Sequence, residues 1–250
     1  MNILFLADCE SVNTKNWVDY LSGRGHQVTV VSSRTLCKSK RLFSIEKSIN
    51  RFGYFLLIFD AWRELEKTSP DVVVGYFLTS YGLVAALLNR RPLVLTAAGS
   101  DVFRSELATS RFVSLFFHRV LRFVVSRGDL ILSWAPHMSR KLISLGAPAS
   151  SVFTMPRGVN LDLLYGNGKN APARQSGGKT VFVCTRSLKP VYNIDLIIRS
   201  FAILHRRAKD TALWIVGDGP LKNSLETLAS RLNLPEAIRF YGKVAYGRMG

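Results

Sequence analysis

Glycine is missing from Asp8 to Thr14, the segment that follows the first apolar run of this 250-residue chain. A dinucleotide-binding turn of the G-x-G-x-x-G type needs glycines at that point, so a Rossmann-type dehydrogenase is excluded early. Cysteine is scarce: Cys9, Cys37 and Cys184 are odd in number and far apart, with neither metal-ligand spacing nor the pairing of a disulfide framework. That pattern fits a reducing cytoplasm. Uninterrupted apolar stretches are also lacking, because Arg, Lys or His breaks each run well before the roughly 20 residues that cross a bilayer. Met1 to Ala7 meets Asp8 at once and reads as a buried first strand rather than an export signal. Carboxylates and histidines do not cluster at metal spacing, and His26, His118, His137 and His205 are scattered, which makes them structural or surface groups. Neither an internal repeat nor a low-complexity tract is visible.

Acidic residues are few as well, 17 against 34 Lys and Arg, and the net charge is +17 with a pI near 10.2. Such a surplus attracts polyanions by sign alone: nucleic acid, anionic lipid headgroups or phosphorylated substrates. The basic residues are spread through both halves without a nucleic-acid readout module, so nucleic acid is not the expected partner, and a basic polyanion-binding α/β protein stands as the alternative function. Two stretches join charge to apolar bulk, Arg41 to Trp62 and Arg111 to Ile131, and both read as helices. On the core-facing reading, Phe112, Leu115, Phe116, Val120 and Phe123 point inward with Arg111, Arg119, Arg122 and Arg127 solvated around them. The competing reading lays such a segment in an anionic membrane interface.

What is present is 48% hydrophobic residues, enough to bury a core. Short β-rich runs alternate with helical stretches, the pattern of a parallel sheet covered by helices: the fold class is α/β. Strands are expected at Asn2–Ala7, Gln27–Ser32, Asp71–Gly75, Pro92–Thr96, Asp129–Ser133 and Ser151–Thr154, and helices at Val12–Ser22, Ser80–Asn89, Ser105–Ser126 and Pro136–Leu145. These six strands make a first domain over residues 1–165. Residues 166–178, rich in Gly, Pro, Ser and Asn, read as a linker. A second series occupies 179–250, with strands at Thr180–Cys184, Thr211–Val216 and Ile238–Gly242 and helices at Ile194–Arg207 and Leu221–Arg231. Three strands are few for a doubly wound sheet, so the second domain is expected to be truncated and the chain a fragment.

Ligands of open α/β sheets bind outside the carboxyl ends of strands, and four such ends carry suggestive residues. Gly217-Asp218-Gly219-Pro220 follows the strand LWIV, where a glycine-rich turn feeding a helix N-terminus suits either a phosphate or a tight turn. Arg186 and Lys189 follow TVFVC, two cations able to grip a diphosphate or simply to stand in a solvated loop. Gly99 and Asp101 follow LVLT, where Asp101 could bind sugar hydroxyls or cap the next helix. Arg157 and Gly158 lie in the turn after Thr154. Asp8 and Glu10 after the first strand read as solvated loop carboxylates.

The ordered set GRGHQVTVVSSR (23–34), LTAAGSDVF (95–103), LILSWAPHMSRKLISLGAPASSVFTMPRGVNLDLLYG (130–166), VCTRSLKPVYNIDLIIRSFAIL (183–204) and LWIVGDGPLKNSLETLASRLNLPEAIRFYGKV (213–244) resembles the retaining family-4 glycosyltransferases of the GT-B fold, over nearly the whole chain. The resemblance implies two Rossmann-like domains around a nucleotide sugar, UDP- or GDP-linked, and transfer of a hexosyl group with retention to a glycan or lipid-linked acceptor. It implies polysaccharide- or lipopolysaccharide-type biosynthesis in the cytoplasm, at or near the inner face of the membrane, without a metal or other cofactor. By resemblance, Arg186 with Lys189, Gly217, Asp218 and Gly219 form the donor side, and Gly99, Asp101, Arg157 and Gly158 the acceptor side; no catalytic residue is assigned. Three departures stand out. Ala98 replaces the family's common His, Val191-Tyr192-Asn193 stands where a Lys-Gly pair is usual, and the paired-glutamate motif lies beyond residue 250.

Overall fold

The computed structural model describes residues 1–33, 42–44, 53–158 and 178–244. They form two compact units, Met1–Val159 and Asn160–Gly250, and the expected linker 166–178 lies almost wholly outside the described residues.

Unit 1 is a seven-stranded parallel sheet in the order β3-β2-β1-β4-β5-β6-β7. Its elements are β1 (Asn2–Leu6), α1 (Val12–Gly23), β2 (Gln27–Ser32), β3 (Leu42–Ser44), α2 (Gly53–Thr68), β4 (Val72–Tyr76), α3 (Gly82–Leu87), β5 (Leu93–Thr96), α4 (Arg111–Arg127), β6 (Leu130–Ser133), α5 (Pro136–Ser144) and β7 (Val152–Thr154). β1 pairs with β2 on one side and β4 on the other, both in parallel. That central place explains why its last four residues are buried without alternation, as parallel strands covered on both faces require. Helices α2 to α5 cover one face through Leu57, Ala61, Val84, Leu121, Val124 and Leu142. The other face packs Phe5, Val30 and Tyr76 against Val18 of α1.

Four expectations are corrected. A helix over Arg41–Trp62 does not form as one element: Leu42–Ser44 pairs with β2 as a strand, since an open sheet edge gives those backbone groups partners a helix end would not, and α2 starts only at Gly53. The helix expected from Ser80 begins as a widened turn at Phe77–Tyr81, ahead of α3. α4 starts at Arg111 rather than Ser105, because Ser110 Oγ accepts the Val113 N–H and caps it there. Finally, Cys9 is disulfide-bonded while Cys184 is a free, buried thiol. Spacing along the chain did not reveal that pairing, and the inference of a reducing cytoplasm drawn from the cysteines falls with it.

Unit 2 carries a three-stranded parallel sheet in the order β10-β9-β8, built from β8 (Thr180–Cys184), α6 (Ile194–Arg207), β9 (Thr211–Val216), α7 (Lys222–Arg231) and β10 (Ile238–Gly242). Ile194, Ile198 and Phe201 of α6 and Leu225 and Ala229 of α7 pack with Leu213 and Ile215 on one face. On the opposite face Trp214 and Tyr241 meet edge to face at 5.3 Å.

Candidate functional site

The strand order of unit 1 runs outward in both directions from the β1–β4 pair. The carboxyl ends of those two strands are therefore the switch point at which open α/β sheets hold ligands. Tyr76 ends β4 there. Its ring lies 6.5 Å from Phe5 and 6.2 Å from Trp134 at the end of β6, and the Arg157 guanidinium sits 5.6 Å over the Trp134 ring. Tyr76 Oη is buried and makes no hydrogen bond of standard geometry among the described residues. Burial pushes its pKa up to about 12, while Arg157 and the nearby Asn13 side chain pull the other way. Thr14 Oγ1 at the start of α1 is buried and unsatisfied in the same way. Unsatisfied buried hydroxyls call for an explanation, and here two of them stand with an exposed arginine and an aromatic cluster near the topological switch point, a set able to meet the hydroxyls of a ligand.

Behind this edge stands Asp101. Its side chain is 0% exposed and its oxygens accept N–H groups from Leu78 (2.8 Å) and Ala98 (3.0 and 3.2 Å). Burial raises its pKa, with those backbone donors opposing the shift. Asp101 thus neither caps a helix nor faces a ligand; it ties the loop after β5 to the loop after β4. Gly99 beside it has φ of +113° with open space where a Cβ would be, a conformation that favours glycine for its torsion. Phe77 has φ of +78°, an outlier for a bulky residue. Gly158 is exposed. Asp8 Oδ1 accepts the Glu10 N–H, and Glu10 pairs with Lys15, in keeping with a loop role.

In unit 2 the loops after β8 and β9 are laced together. Leu188 N–H donates to Asp218 O at 3.0 Å, and Leu221 N–H donates to Leu188 O at 3.1 Å. A Cβ on Gly217 would collide with the Arg186 carbonyl, and one on Gly219 would lie 2.5 Å from the Leu188 carbonyl oxygen. Both glycines are thus demanded by backbone contact, and Asp218 Oδ1 accepts the Gly219 N–H. α7 begins at Lys222, so Pro220 precedes its first turn. The paired loops hold Arg186 and Lys189 exposed at the sheet edge, Arg186 stacked 5.5 Å over Tyr192, and neither cation has an acidic partner among the described residues. This arrangement can receive a diphosphate.

The structure brings Arg186 and Lys189 to the Gly217–Gly219 loop and Arg157 to Trp134. Sequence reasoning missed Tyr76, Asn13, Thr14, Trp134 and Tyr192; the one available signal was an aromatic at the last position of β4 or just past β6. Among the described residues no group of His, Cys, Asp and Glu is placed to hold a metal, and no helix is long and apolar enough to cross a membrane.

Residues 2–134 match the family described as Glycosyl transferase 4-like and residues 169–249 the family described as Glycosyl transferases group 1. A GDP-mannose-dependent alpha-(1-6)-phosphatidylinositol monomannoside mannosyltransferase of Mycolicibacterium smegmatis is 29% identical over 168 residues, 65% of this chain and 42% of that protein. The enzyme of the same description from Mycobacterium tuberculosis is 28% identical over 165 residues, 64% of this chain and 41% of that protein. The chain thus spans about two fifths of the length of the curated relatives it matches. Among solved structures, Anabaena HepE in complex with UDP and glucose superposes with a TM-score of 0.73 at 17% identity, over 98% of this chain and 70% of that one. Sucrose-phosphate synthase from Thermosynechococcus elongatus gives 0.75 at 14% identity, over 99% and 71%. The fold is GT-B, and the chain belongs to the group 1, family 4 glycosyltransferases.

Proposed function

We propose that this chain carries the donor diphosphate site and the acceptor-side domain of a retaining hexosyltransferase that uses a UDP- or GDP-linked sugar. The observation that carries the reading is the laced pair of loops after β8 and β9, which present Arg186 and Lys189 without acidic partners. Departure of a nucleoside diphosphate from a hexosyl group leaves charge on the phosphates and an oxocarbenium-like sugar, and fixed cations stabilise that developing charge. Arg186 supplies a planar fork and Lys189 a point charge, so protein cations take the place of a metal ion. Gly217 and Gly219 let the loops approach closely enough for both cations to reach one ligand.

The acceptor is a glycan or a lipid-linked sugar, met by the Tyr76, Trp134 and Arg157 edge of unit 1 together with the turns that carry Gly99 after β5 and Gly158 after β7. Aromatic faces suit sugar rings, and the Tyr76 hydroxyl, with the Asn13 side chain beside it, is a polar group that a sugar hydroxyl could meet. Support for this acceptor class comes from the mycobacterial relatives, whose descriptions name a phosphatidylinositol mannoside. Support for the donor class comes from those relatives' use of GDP-mannose and from the UDP complex of HepE. The chemistry belongs to cell-surface polysaccharide or lipopolysaccharide synthesis on the cytoplasmic side, at an anionic membrane.

Calorimetric titration with UDP, GDP and their sugars, alongside an Arg186→Ala variant, tests the donor site. Saturable binding of one nucleotide, lost in the variant, is expected. A folded chain that binds none of them, yet binds nucleic acid with steep salt dependence, would replace this reading with that of a basic polyanion-binding protein.

A further inference from the structure

Helix α4 contains no acidic residue, and its core stripe is Leu121, Val124 and Val125. Contrary to the inward-facing expectation, Phe112 is 88% exposed and Phe116 61%, with Leu115 exposed beside them. On a helical wheel these three lie opposite the buried stripe, with Arg119 among them and Arg111 and Arg122 together along one side. All three arginines are exposed and lack an acidic partner among the described residues. The preceding turn adds exposed Leu107 and Arg104, whose guanidinium lies 5.1 Å over the Phe117 ring.

Position matters as much as composition. A helix that joins two parallel strands runs back along the sheet, so its N-terminal half lies at the carboxyl edge of the strands. The exposed aromatics of α4 occupy that half, beside the loops of the candidate acceptor site. α2 packs on the same sheet face as α4, and it exposes Phe59 and Trp62 in its own first three turns. Exposed aromatic clusters are rare on monomeric soluble proteins and mark interaction sites.

We propose that the N-terminal half of α4, with the first turns of α2 beyond the intervening α3, is a docking surface for an anionic lipid bilayer, with Phe112, Leu115 and Phe116 entering the headgroup and acyl boundary and Arg111, Arg119 and Arg122 meeting the lipid charges. The commitment to lipid follows from charge complementarity. A purely basic rim around apolar wedges matches an anionic interface, whereas a second copy of this chain would bring the same positive rim against itself. Docking in this way sets the acceptor-side loops at the membrane surface, where a lipid-linked acceptor would be presented. That last step rests on the proposed function; lipid binding itself does not.

Flotation with vesicles of phosphatidylglycerol and phosphatidylcholine in equal parts, and of phosphatidylcholine alone, tests the surface without nucleotide or turnover. A failure here therefore remains distinct from a failure of nucleotide titration. The wild-type chain is expected to float with the anionic vesicles only. Phe112→Ser with Phe116→Ser should weaken partitioning at least roughly tenfold, and Arg119→Glu with Arg122→Glu roughly fivefold per arginine. Arg206→Glu with Arg207→Glu, exposed on α6, makes the same change in net charge and should leave flotation nearly unchanged. Circular dichroism of each variant checks folding. In the unmutated chain, Trp62, the exposed one of four tryptophans, should be quenched by brominated lipid. The proposal is overturned if the wild type does not float, if the phenylalanine variant floats like the wild type, or if the α6 variant loses as much as the α4 variant. It is overturned equally if the phenylalanine substitutions only break a dimer that has no affinity for vesicles.

Discussion

Asp101 and Leu78 are joined across 23 positions of sequence by a carboxylate oxygen that accepts the Leu78 N–H at 2.8 Å. The bond follows directly on Phe77, whose φ of +78° is of the kind that costs on the order of 1–3 kcal/mol and persists only where surrounding structure over-determines it. The same carboxylate accepts the Ala98 N–H, so one buried side chain fixes the loops after β4 and β5 together. The turn that presents Tyr76 at the switch point is held from behind.

Replacing Asp101 by Ala would leave the buried Leu78 N–H and the half-buried Ala98 N–H without this acceptor, at about 1–3 kcal/mol for the buried donor. Denaturant unfolding is expected to show a loss in that range. The loss should also depend on pH. Burial raises the folded pKa of Asp101 above its ordinary value of 3.8, so the folded state holds the proton longer than the unfolded one. The stability difference between wild type and variant is accordingly greatest below 3.8, declines as pH rises through the raised folded value, and is flat above it. A difference that grows with pH would show that the backbone donors, not burial, dominate.

Tyr76→Phe removes a buried hydroxyl that makes no standard hydrogen bond among the described residues, so unfolding should be unchanged or slightly harder. Absorbance titration of the folded wild type should show one tyrosine ionising near 12 that is absent from the variant. If the hydroxyl serves the acceptor, the variant also raises the acceptor KM while leaving nucleotide affinity intact. A clear loss of stability would mean that the hydroxyl has a structural partner and is not held for a ligand.

Gly217→Ala puts a methyl group into the Arg186 carbonyl. Backbone cannot move aside as a side-chain tip can, so the loops after β8 and β9 must part, at about 1–3 kcal/mol or more. The expected outcome is lower stability of unit 2 together with loss of UDP or GDP binding, read by thermal unfolding and calorimetry on the same sample. Binding that survives with wild-type affinity would show that loop contact is not needed to align Arg186 with Lys189.

The parts legible in sequence were those with a local cause. Continuous apolar runs such as Asn2–Leu6 and Thr211–Val216 announce parallel strands, and Gly217 and Gly219 announce a close turn. Asp101 was legible as a residue but not as a role, because its partner Leu78 is remote in sequence and no pattern in LTAAGSDVF foretells a bond to the loop after β4. β3 was hidden for a related reason: Leu42-Phe43-Ser44 becomes a strand only because β2 offers an edge. For α4, the sequence marked an amphipathic helix and its core-facing reading turned Phe112, Leu115 and Phe116 inward, whereas packing chose Leu121, Val124 and Val125 for the core.

Arg186 offers the sharpest test of the donor site, because its charge and its shape can be separated. Arg186→Ala removes both and is expected to weaken UDP or GDP binding by roughly tenfold to a hundredfold, the worth of a hydrogen bond to a charged group. Arg186→Lys keeps the charge but loses the planar fork and the stack on Tyr192, so it should recover only part of that affinity. Tyr192→Ala keeps the guanidinium and removes its platform; a loss of roughly twofold to fivefold is expected, in line with an exposed cation–π contact. Lys189→Ala should flatten the salt dependence of nucleotide binding, since a point charge acts through distance and is screened. If Arg186→Lys binds as tightly as wild type, the site reads charge alone and the stacked geometry has no part in gripping the diphosphate. If Arg186→Ala binds as tightly, the diphosphate is held elsewhere and the laced loops are structural.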